Sequence, residues 1–164
     1  MTSMDDILLS HVIRLDHVAI AVHRIRDALP LYRDLLAGEY HQGGTEKAGG
    51  FRWAQFTYPA GGKLELLEPV GEDSFLHEFL ETHGEGVHHI TYLVRDIEEL
   101  VDRLRANGYR VVNENYQYPE WKEAFISPRS ANGTVVQLAE TPFSDEEQVR
   151  VWRPDLEVLL RGDG

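Results

Sequence analysis

Apolar side chains alternate with small or polar ones along residues 14–22. This period of two predicts a strand that carries His17 on the face opposite to Val18. Residues 24–36 instead have apolar side chains at steps of three and four, which predicts a helix. Pro30 lies inside that segment, so we expect it to break or kink the helix.

The same patterns predict the remaining elements. Residues 39–50 are glycine-rich and predict a loop. Strands are predicted at residues 51–58, 63–67, 88–94, 110–113, 122–126 and 134–139, and helices at residues 74–82 and 97–107. The helix is followed by three predicted strands in the second half and by two in the first, and we expect the order β-α-β-β-β for each half. We expect an α+β fold in which two paired βαβββ modules form a curved mixed sheet around a cavity.

One segment of the chain occurs twice. Residues 16–22 are similar to residues 88–94, 72 positions later, so that His17 matches His89. The same offset of 72 positions matches Glu65 with Gln137. Such self-similarity is typical of a fold built from two copies of one module. Because side chains alternate across a strand, all four are expected on the concave face. The repeat therefore predicts one shared site to which each module contributes a histidine and a carboxylate or carboxamide.

These four side chains suit a divalent metal ion. Two imidazoles, one carboxylate and one carboxamide oxygen are ligands for Co²⁺, Ni²⁺, Zn²⁺ or Mn²⁺. An ion held in this way could polarise a substrate carbonyl and stabilise an enolate. The alternative is that they are ordinary polar residues on strands, but the matched pairs favour a metal site. His88 should face away from His89 and pack elsewhere.

The composition narrows the class of partner. The 164-residue chain has 28 acidic and 16 basic residues and a formal net charge of −12, which argues against nucleic-acid or membrane binding. It has no cysteine, which excludes disulfides and thiolate ligands. No apolar run approaches the roughly 18 residues of a membrane span. We therefore expect a soluble cytoplasmic protein. Separately, we expect it to act on a small molecule and to form a homodimer.

Three segments together resemble a known family. They are residues 15–22 (LDHVAIAV), 63–69 (KLELLEP) and 84–90 (GEGVHHI). They resemble the vicinal oxygen chelate superfamily of glyoxalases, bleomycin-resistance proteins and extradiol dioxygenases, and within it the methylmalonyl-CoA epimerases. The resemblance implies a single glyoxalase-like domain over residues 14–140, with modules 14–70 and 87–140, an N-terminal extension 1–13 and a C-terminal tail 141–164. It also implies metal ligands at His17, Glu65, His89 and Gln137.

The resemblance further implies an activity. In these epimerases a metal holds the thioester and carboxylate oxygens of an acyl-CoA, and two acidic residues move a proton across Cα. One acid belongs at the position of Gln137, whose carboxamide can bind a metal but cannot accept a proton. The other lies in the loop before the third strand, where Glu46 is the nearest candidate. Glu123 could replace the missing base.

Two other functions stay open. A glyoxalase I-like lyase also uses a metal and a carboxylate base, whereas an antibiotic-binding resistance protein of this fold needs neither. Gln137 argues against an extradiol dioxygenase, which would have Glu at that position. The aromatic residues Trp53, Tyr116 and Trp121 are candidates for binding the substrate or ligand. The first expectation remains an acyl-CoA epimerase, with the lyase and the binding protein as alternatives.

Overall fold

The computed structural model describes residues 11–162, which form two compact units. The first unit consists of residues 11–17 and His89–Phe143, and the second of Val18–His88 and residues 144–162. The division falls inside the first strand, between His17 and Val18. Residues 1–10 of the predicted N-terminal extension lie outside the described residues.

Over residues 14–140, the secondary structure follows the predicted order with two exceptions, and the predicted C-terminal tail adds two helices. In chain order the elements are β1 (Val12–Ala21), α1 (Ile25–Leu29), a π-helical turn (Pro30–Leu35), β2 (Glu39–Glu46), β3 (Phe51–Thr57), β4 (Lys63–Pro69), α2 (Phe75–His83), β5 (Gly86–Val94), α3 (Ile97–Ala106), β6 (Val111–Asn115), β7 (Lys122–Ile126), β8 (Val136–Glu140), α4 (Asp145–Trp152) and α5 (Leu156–Arg161). The exceptions are the segment after α1 and the segment that forms β2.

The first exception is the expected effect of Pro30. Proline has no backbone N–H to donate, so the α-helical bonding pattern cannot continue through it. The chain passes from α1 into a π-helical turn at Pro30, and Leu36 N then donates to Leu31 O at 2.9 Å. This five-residue step is the π-helical spacing. The predicted break in the helix is confirmed.

The second exception is a wrong prediction. Residues 39–46 of the predicted glycine-rich loop form β2, which pairs antiparallel with β3. Gly43 serves close packing here, because a Cβ added to it would lie 2.7 Å from Trp53 O and 2.8 Å from Leu159 Cδ2. Glycine in a strand often marks such a close approach rather than a loop.

Each unit places a helix on one face of a mixed four-stranded sheet. The second unit has the strand order β2-β3-β4-β1 and the first has β5-β8-β7-β6, with β1 parallel to β4 and β5 parallel to β8. The α+β class and the two βαβββ modules are confirmed. The buried residues that pack around α1 include Val22, Ile25, Leu29, Phe56 and Leu66, and those around α3 include Val94, Ile97, Leu100, Val101 and Leu138.

The alternation of the strands is also as predicted. Leu66 packs against the α1 cluster, whereas its neighbour Leu67 belongs to a cluster on the other face with Ala19 and Ala21. Glu65 therefore lies on the face away from α1. Leu138 packs against the α3 cluster, so Gln137 lies on the face away from α3. In each unit, the candidate ligands therefore lie on the face of the sheet opposite to the α1 or α3 cluster.

Candidate active site

His17 is buried and is held by the residue before it. Its side chain is 2% exposed, and its Nδ1 lies 2.8 Å from Asp16 Oδ2. Arg14 in turn pairs with the other oxygen of Asp16 at 2.8 Å. A carboxylate at Nδ1 fixes the ring orientation and keeps the proton on that nitrogen. The Nε2 lone pair of His17 is therefore the one available to a ligand.

His89 lies beside His17 in the same unit. It is 6% exposed, and the two ring centroids are 5.9 Å apart in an edge-to-face arrangement. One ring nitrogen of His17 and one of His89 lie within 4.8 Å of each other. Phe125 on β7 also packs against His89, with the two ring centroids 6.4 Å apart. Two buried imidazoles at this spacing can bind one ion with little rearrangement.

Gln137 joins the histidines through Thr91. The Thr91 hydroxyl is fully buried, donates to Gln137 Oε1 at 2.7 Å, and lies 3.0 Å from His17 Nε2. Gln137 Nε2 donates at 2.7 Å to Glu123 Oε2. Because a carboxylate can only accept, this bond determines which end of the amide faces Glu123. The Gln137 oxygen is thereby directed toward Thr91 and the histidines.

Glu123 lies on the same face as these residues. It is two positions from Phe125 on β7, and the residue between them, Ala124, is buried in the α3 cluster. Its Oε2 also accepts from Trp121 Nε1 at 3.1 Å. The facing of Glu123, which the sequence left undetermined, is thus settled by its bond to Gln137. Of the three predicted aromatic residues, Trp121 is thus hydrogen-bonded to Glu123.

Glu65 lies in the second unit. It is 8% exposed, and its Oε2 accepts from Gln55 Nε2 at 2.7 Å. Gln55 stands directly opposite Glu65 on β3 and is itself 3% exposed. Gln42 continues the row on β2 and donates to Gln55 Oε1 at 2.9 Å. The Glu65 carboxylate is therefore buried and oriented by a row of carboxamides.

The residues of the first unit fit a divalent metal ion. They supply two imidazole nitrogens and one amide oxygen, all from side chains that are 7% exposed or less. Metal ligands usually make a hydrogen bond to a second residue that orients them. Asp16 makes such a bond to His17, and Glu123 makes one to Gln137. Neutral nitrogen and oxygen donors of this kind suit Zn²⁺, Co²⁺, Ni²⁺ or Mn²⁺.

Two predicted site residues are placed differently from the rest. Glu46 ends β2 with its side chain exposed, and its Oε1 accepts from Ala48 N at 3.1 Å, which is a turn-capping contact. Tyr116 packs against the α3 cluster, on the opposite side of the sheet from Gln137, and its role as a substrate-binding residue stays a prediction. Desolvation, together with the nearby Glu114 carboxylate, raises the pKa of Tyr116 to about 12.

Trp53 lies on the same face as Glu65, and His88 packs elsewhere, as predicted. Trp53 packs with the Ala19 and Leu67 cluster, on the same face of the second unit as Glu65. His88 packs against Phe75 and Phe79, with ring centroids at 5.7 and 4.9 Å. Burial lowers the pKa of His88, as expected for an imidazole packed among aromatic rings.

Sequence reasoning missed the residues that support the ligands. Asp16 carried a local signal, since it immediately precedes His17. Thr91 takes the place that Ala19 has in the first copy of the repeat, so the repeat itself gave no reason to select it. Gln55 and Gln42 are recognisable only through the pairing of β2, β3 and β4.

Among the described residues, no helix has the length and apolar content to span a membrane.

Comparison with known proteins identifies the family. The family model for the Glyoxalase/Bleomycin resistance protein/Dioxygenase superfamily matches residues 16–125. This is more than half of the chain, and it covers both histidines and Glu65. The protein belongs to this superfamily, and the resemblance inferred from its sequence segments is confirmed.

Within the superfamily, the likeness is to methylmalonyl-CoA epimerases. The chain is 38% identical over 129 residues to the ethylmalonyl-CoA/methylmalonyl-CoA epimerase of Cereibacter sphaeroides, covering 76% of this chain and 96% of that enzyme. It is also 38% identical over 140 residues to the uncharacterized protein YqjC of Bacillus subtilis, covering 81% and 95%. A Streptomyces coelicolor methylmalonyl-CoA epimerase variant, solved with 2-nitronate-propionyl-CoA, superposes with a TM-score of 0.71 at 28% identity, covering 80% and 96%.

Proposed function

We propose that this protein is a divalent-metal-dependent epimerase of an acyl-CoA. The observation that carries the proposal is the directed hydrogen bonding of Gln137, whose amide oxygen is turned by Glu123 toward Thr91 and His17. A carboxamide oxygen held in this direction, beside two buried imidazoles, can serve as a metal ligand. The epimerase relatives supply the reaction class, and the ligand set supplies a means to perform it.

The proposed metal ligands are His17, His89, Gln137 and Glu65. The first three lie together in the first unit, and Glu65 is added because it is the repeat partner of Gln137 and matches the superfamily pattern. One ion of Co²⁺, Ni²⁺, Zn²⁺ or Mn²⁺ is expected. When bound, it supplies Lewis-acid polarisation of a substrate carbonyl. The buried Asp16 and Gln55 keep His17 and Glu65 in position for that ion.

Epimerisation requires a proton to leave Cα and to return on the opposite face. We assign the departure to Glu123, because Gln137 cannot accept a proton and Glu123 lies beside it on the same face. The carboxylate takes the Cα proton, the C–H electron pair moves toward the thioester oxygen, and reprotonation of Cα restores the thioester. Return to the opposite face needs a second acid, for which Glu46 remains the candidate.

The proposed substrate is an acyl-CoA with an acidic Cα–H. Two relatives support this substrate class. The Cereibacter sphaeroides relative is an ethylmalonyl-CoA/methylmalonyl-CoA epimerase, and the Streptomyces coelicolor epimerase was solved with 2-nitronate-propionyl-CoA. Trp121, which donates to Glu123, and Trp53 are the proposed aromatic contacts of the substrate. Location in the cytoplasm and assembly as a homodimer remain predictions.

Exchange of the Cα proton with solvent tests the proposal directly. The protein is purified without chelator or a nickel column, its metal content is measured, and samples are loaded in turn with Co²⁺, Ni²⁺, Zn²⁺ and Mn²⁺. Methylmalonyl-CoA and ethylmalonyl-CoA are then incubated with each sample in D₂O, and deuterium at Cα is measured by mass spectrometry. We expect exchange with at least one metal and none after chelation.

The same experiment separates the alternatives. Absence of exchange with all four metals, in a protein that binds acyl-CoA, would contradict the epimerase. Turnover of a glutathione thiohemiacetal instead would favour the glyoxalase I-like lyase. A protein that takes up no added metal would favour the antibiotic-binding function.

A further inference from the structure

The C-terminal segment after β8 is part of the core of the second unit. Leu159 on α5 is 1% exposed and belongs to the buried cluster around α1. The strand beneath it has a glycine, Gly43, where a Cβ would lie 2.8 Å from Leu159 Cδ2. Tyr40 on the same strand donates its hydroxyl proton to Pro154 O at 3.0 Å. β2 and the C-terminal helices are thus fitted to each other.

The first of these helices also contributes a buried polar side chain. Gln148 on α4 is 3% exposed, and its Oε1 lies 3.4 Å from the Nε2 of Gln42, which donates to it. The same Nε2 donates to Gln55 Oε1 at 2.9 Å, and Gln55 donates to Glu65 at 2.7 Å. Four side chains from α4, β2, β3 and β4 therefore form one continuous hydrogen-bonded array, all of it within the second unit.

The direction of every bond in this array follows from Glu65. A carboxylate only accepts, so Gln55 must present its amino end to Glu65 and its oxygen to Gln42. Gln42 must then present its own amino end, which carries two protons. One goes to Gln55, and the other needs the acceptor that Gln148 provides. Reversal of any one amide would bring two oxygens or two N–H groups together.

The Gln42 amide is held only at its amino end. Within residues 11–162, its buried Oε1 has no hydrogen-bond partner. Its rotation is therefore restrained by two bonds, to Gln55 and to Gln148. Loss of the Gln148 oxygen would leave a buried N–H without its acceptor and allow Gln42 to turn, which loosens Gln55 and then Glu65.

We propose that Gln148 is a positioning residue that acts through Gln42 and Gln55 to fix the orientation of the Glu65 carboxylate. Helix α4 thereby becomes a part of the site rather than an appendage to the fold. Only the further statement that this orientation affects a bound metal ion rests on the proposed function.

The test begins with the hydrogen bonds themselves. Gln148→Met keeps the side-chain length and removes the amide oxygen, and Glu146→Met makes the same change at an exposed position of the same helix. The readout is the side-chain amide resonance of Gln55 in ¹⁵N NMR spectra, assigned with Gln55→Met. We expect it to shift in Gln148→Met and to stay in place in Glu146→Met.

Metal binding is the second readout. Co²⁺ titrations that follow the visible absorption bands report both affinity and ligand geometry. A group in direct contact with a ligand usually changes metal affinity about 10–100-fold, so for a residue two bonds further away we expect about a threefold to tenfold weaker Kd in Gln148→Met. The double variant Gln42→Met/Gln148→Met should be no weaker than Gln42→Met alone, because both act along one path. Gln148→Glu, which keeps an acceptor oxygen, should retain the Gln55 resonance and the Kd within about twofold.

The outcomes are distinct. An unchanged Gln55 resonance, additive effects in the double variant, or a loss in Gln148→Glu as large as in Gln148→Met would each overturn the positioning role. A wild-type protein that binds no Co²⁺ would contradict the proposed function, and the Gln55 resonance alone would then decide whether Gln148 positions Glu65.

Discussion

Each half of the molecule contains a glutamine that donates its Nε2–H to a glutamate Oε2 at 2.7 Å, but the two residue types exchange roles. In the second unit, Glu65 holds the repeat position and Gln55 supports it. In the first unit, Gln137 holds that position and Glu123 supports it. In both units the glutamine donates and the glutamate accepts. The negative charge is at the repeat position in the second unit and on the supporting residue in the first.

The geometry of support differs as well. Gln55 stands directly opposite Glu65 on the neighbouring strand, whereas Glu123 stands opposite Ala139 and reaches Gln137 diagonally. Both arrangements lie within the normal reach of cross-strand pairs. The comparison teaches that the repeat duplicates the positions of the candidate ligands but not the residues that hydrogen-bond to them. The proposed role of Glu123 in proton transfer rests on this difference, because its carboxylate lies on β7 and not at the repeat position.

The largest expected effect is at a histidine that both the repeat and the structure select. His89→Ala should weaken Co²⁺ binding by more than the roughly 10–100-fold typical of changes behind a ligand. It should also abolish the thermal stabilisation by added metal, since binding to the folded state raises the melting temperature. Elemental analysis and melting curves measure both. His88→Ala is the matched control, because His88 packs on the other face of β5. Wild-type metal content in His89→Ala would remove His89 from the site.

The exchange of roles itself can be reversed. Glu123→Gln should lower Cα deuterium exchange by about 10²–10⁴-fold, the usual contribution of a positioned base, with a much smaller effect on Co²⁺ affinity. Glu123→Gln/Gln137→Glu should recover part of the exchange, since it returns the carboxylate to β8. Glu120→Gln, at an exposed position on the segment before β7, should behave as wild type. If Glu123→Gln exchanges at the wild-type rate, Glu123 is not the base.

A third difference concerns the residues that precede the two histidines. The repeat matches Asp16 with His88, but only Asp16 orients its neighbour. Asp16→Asn should weaken Co²⁺ binding about 10–100-fold, because a neutral amide oxygen accepts from the ring N–H more weakly than a carboxylate does. Asp102→Asn on the exposed face of α3 should leave the Kd unchanged. Equal Co²⁺ affinities in the two variants would show that Asp16 does not support the ligand.

The smallest effect is expected at the position where the repeat pairs Ala19 with Thr91. Thr91→Ala makes the two halves alike, but it removes the donor to the buried Gln137 oxygen. We expect the free energy of unfolding to fall by about 1–2 kcal/mol, the cost of leaving one buried polar group without its partner. Urea unfolding measures this, with Thr57→Ala on β3 as the control. Unchanged stability would mean that Gln137 finds another donor.

The faces of the strands could be predicted from the sequence because alternation and the repeat agree. Those two patterns placed His17, His89, Glu65 and Gln137 without any knowledge of contacts. β2 could not be predicted in the same way, because the glycines of this segment are typical of a loop. The reason for Gly43 is its close packing against Leu159, which the sequence does not show. The reason for that glycine lies more than 100 residues away along the chain.

The supports of the site could not be predicted for a different reason. Which end of an amide faces a neighbour depends on the neighbour, and strand register decides who the neighbours are. Glu123 and Tyr116 illustrate this: the sequence offered both as candidates near one cavity mouth, and the two lie on opposite faces of the first unit. Only the pairing of β6, β7 and β8 separates them.

Neither unit is a continuous stretch of chain, which has a consequence for how the protein is made. The bond between His17 and Thr91 spans 74 positions, and the bond between Gln42 and Gln148 spans 106. During synthesis, the first unit cannot close until residue 143 has left the ribosome, and the second must wait for the helices beyond it. Contacts of such long sequence separation slow folding, because the chain entropy is lost before they form. The nascent chain therefore exposes apolar strands until the helices that cover them have been synthesised, and such exposed strands are prone to aggregate.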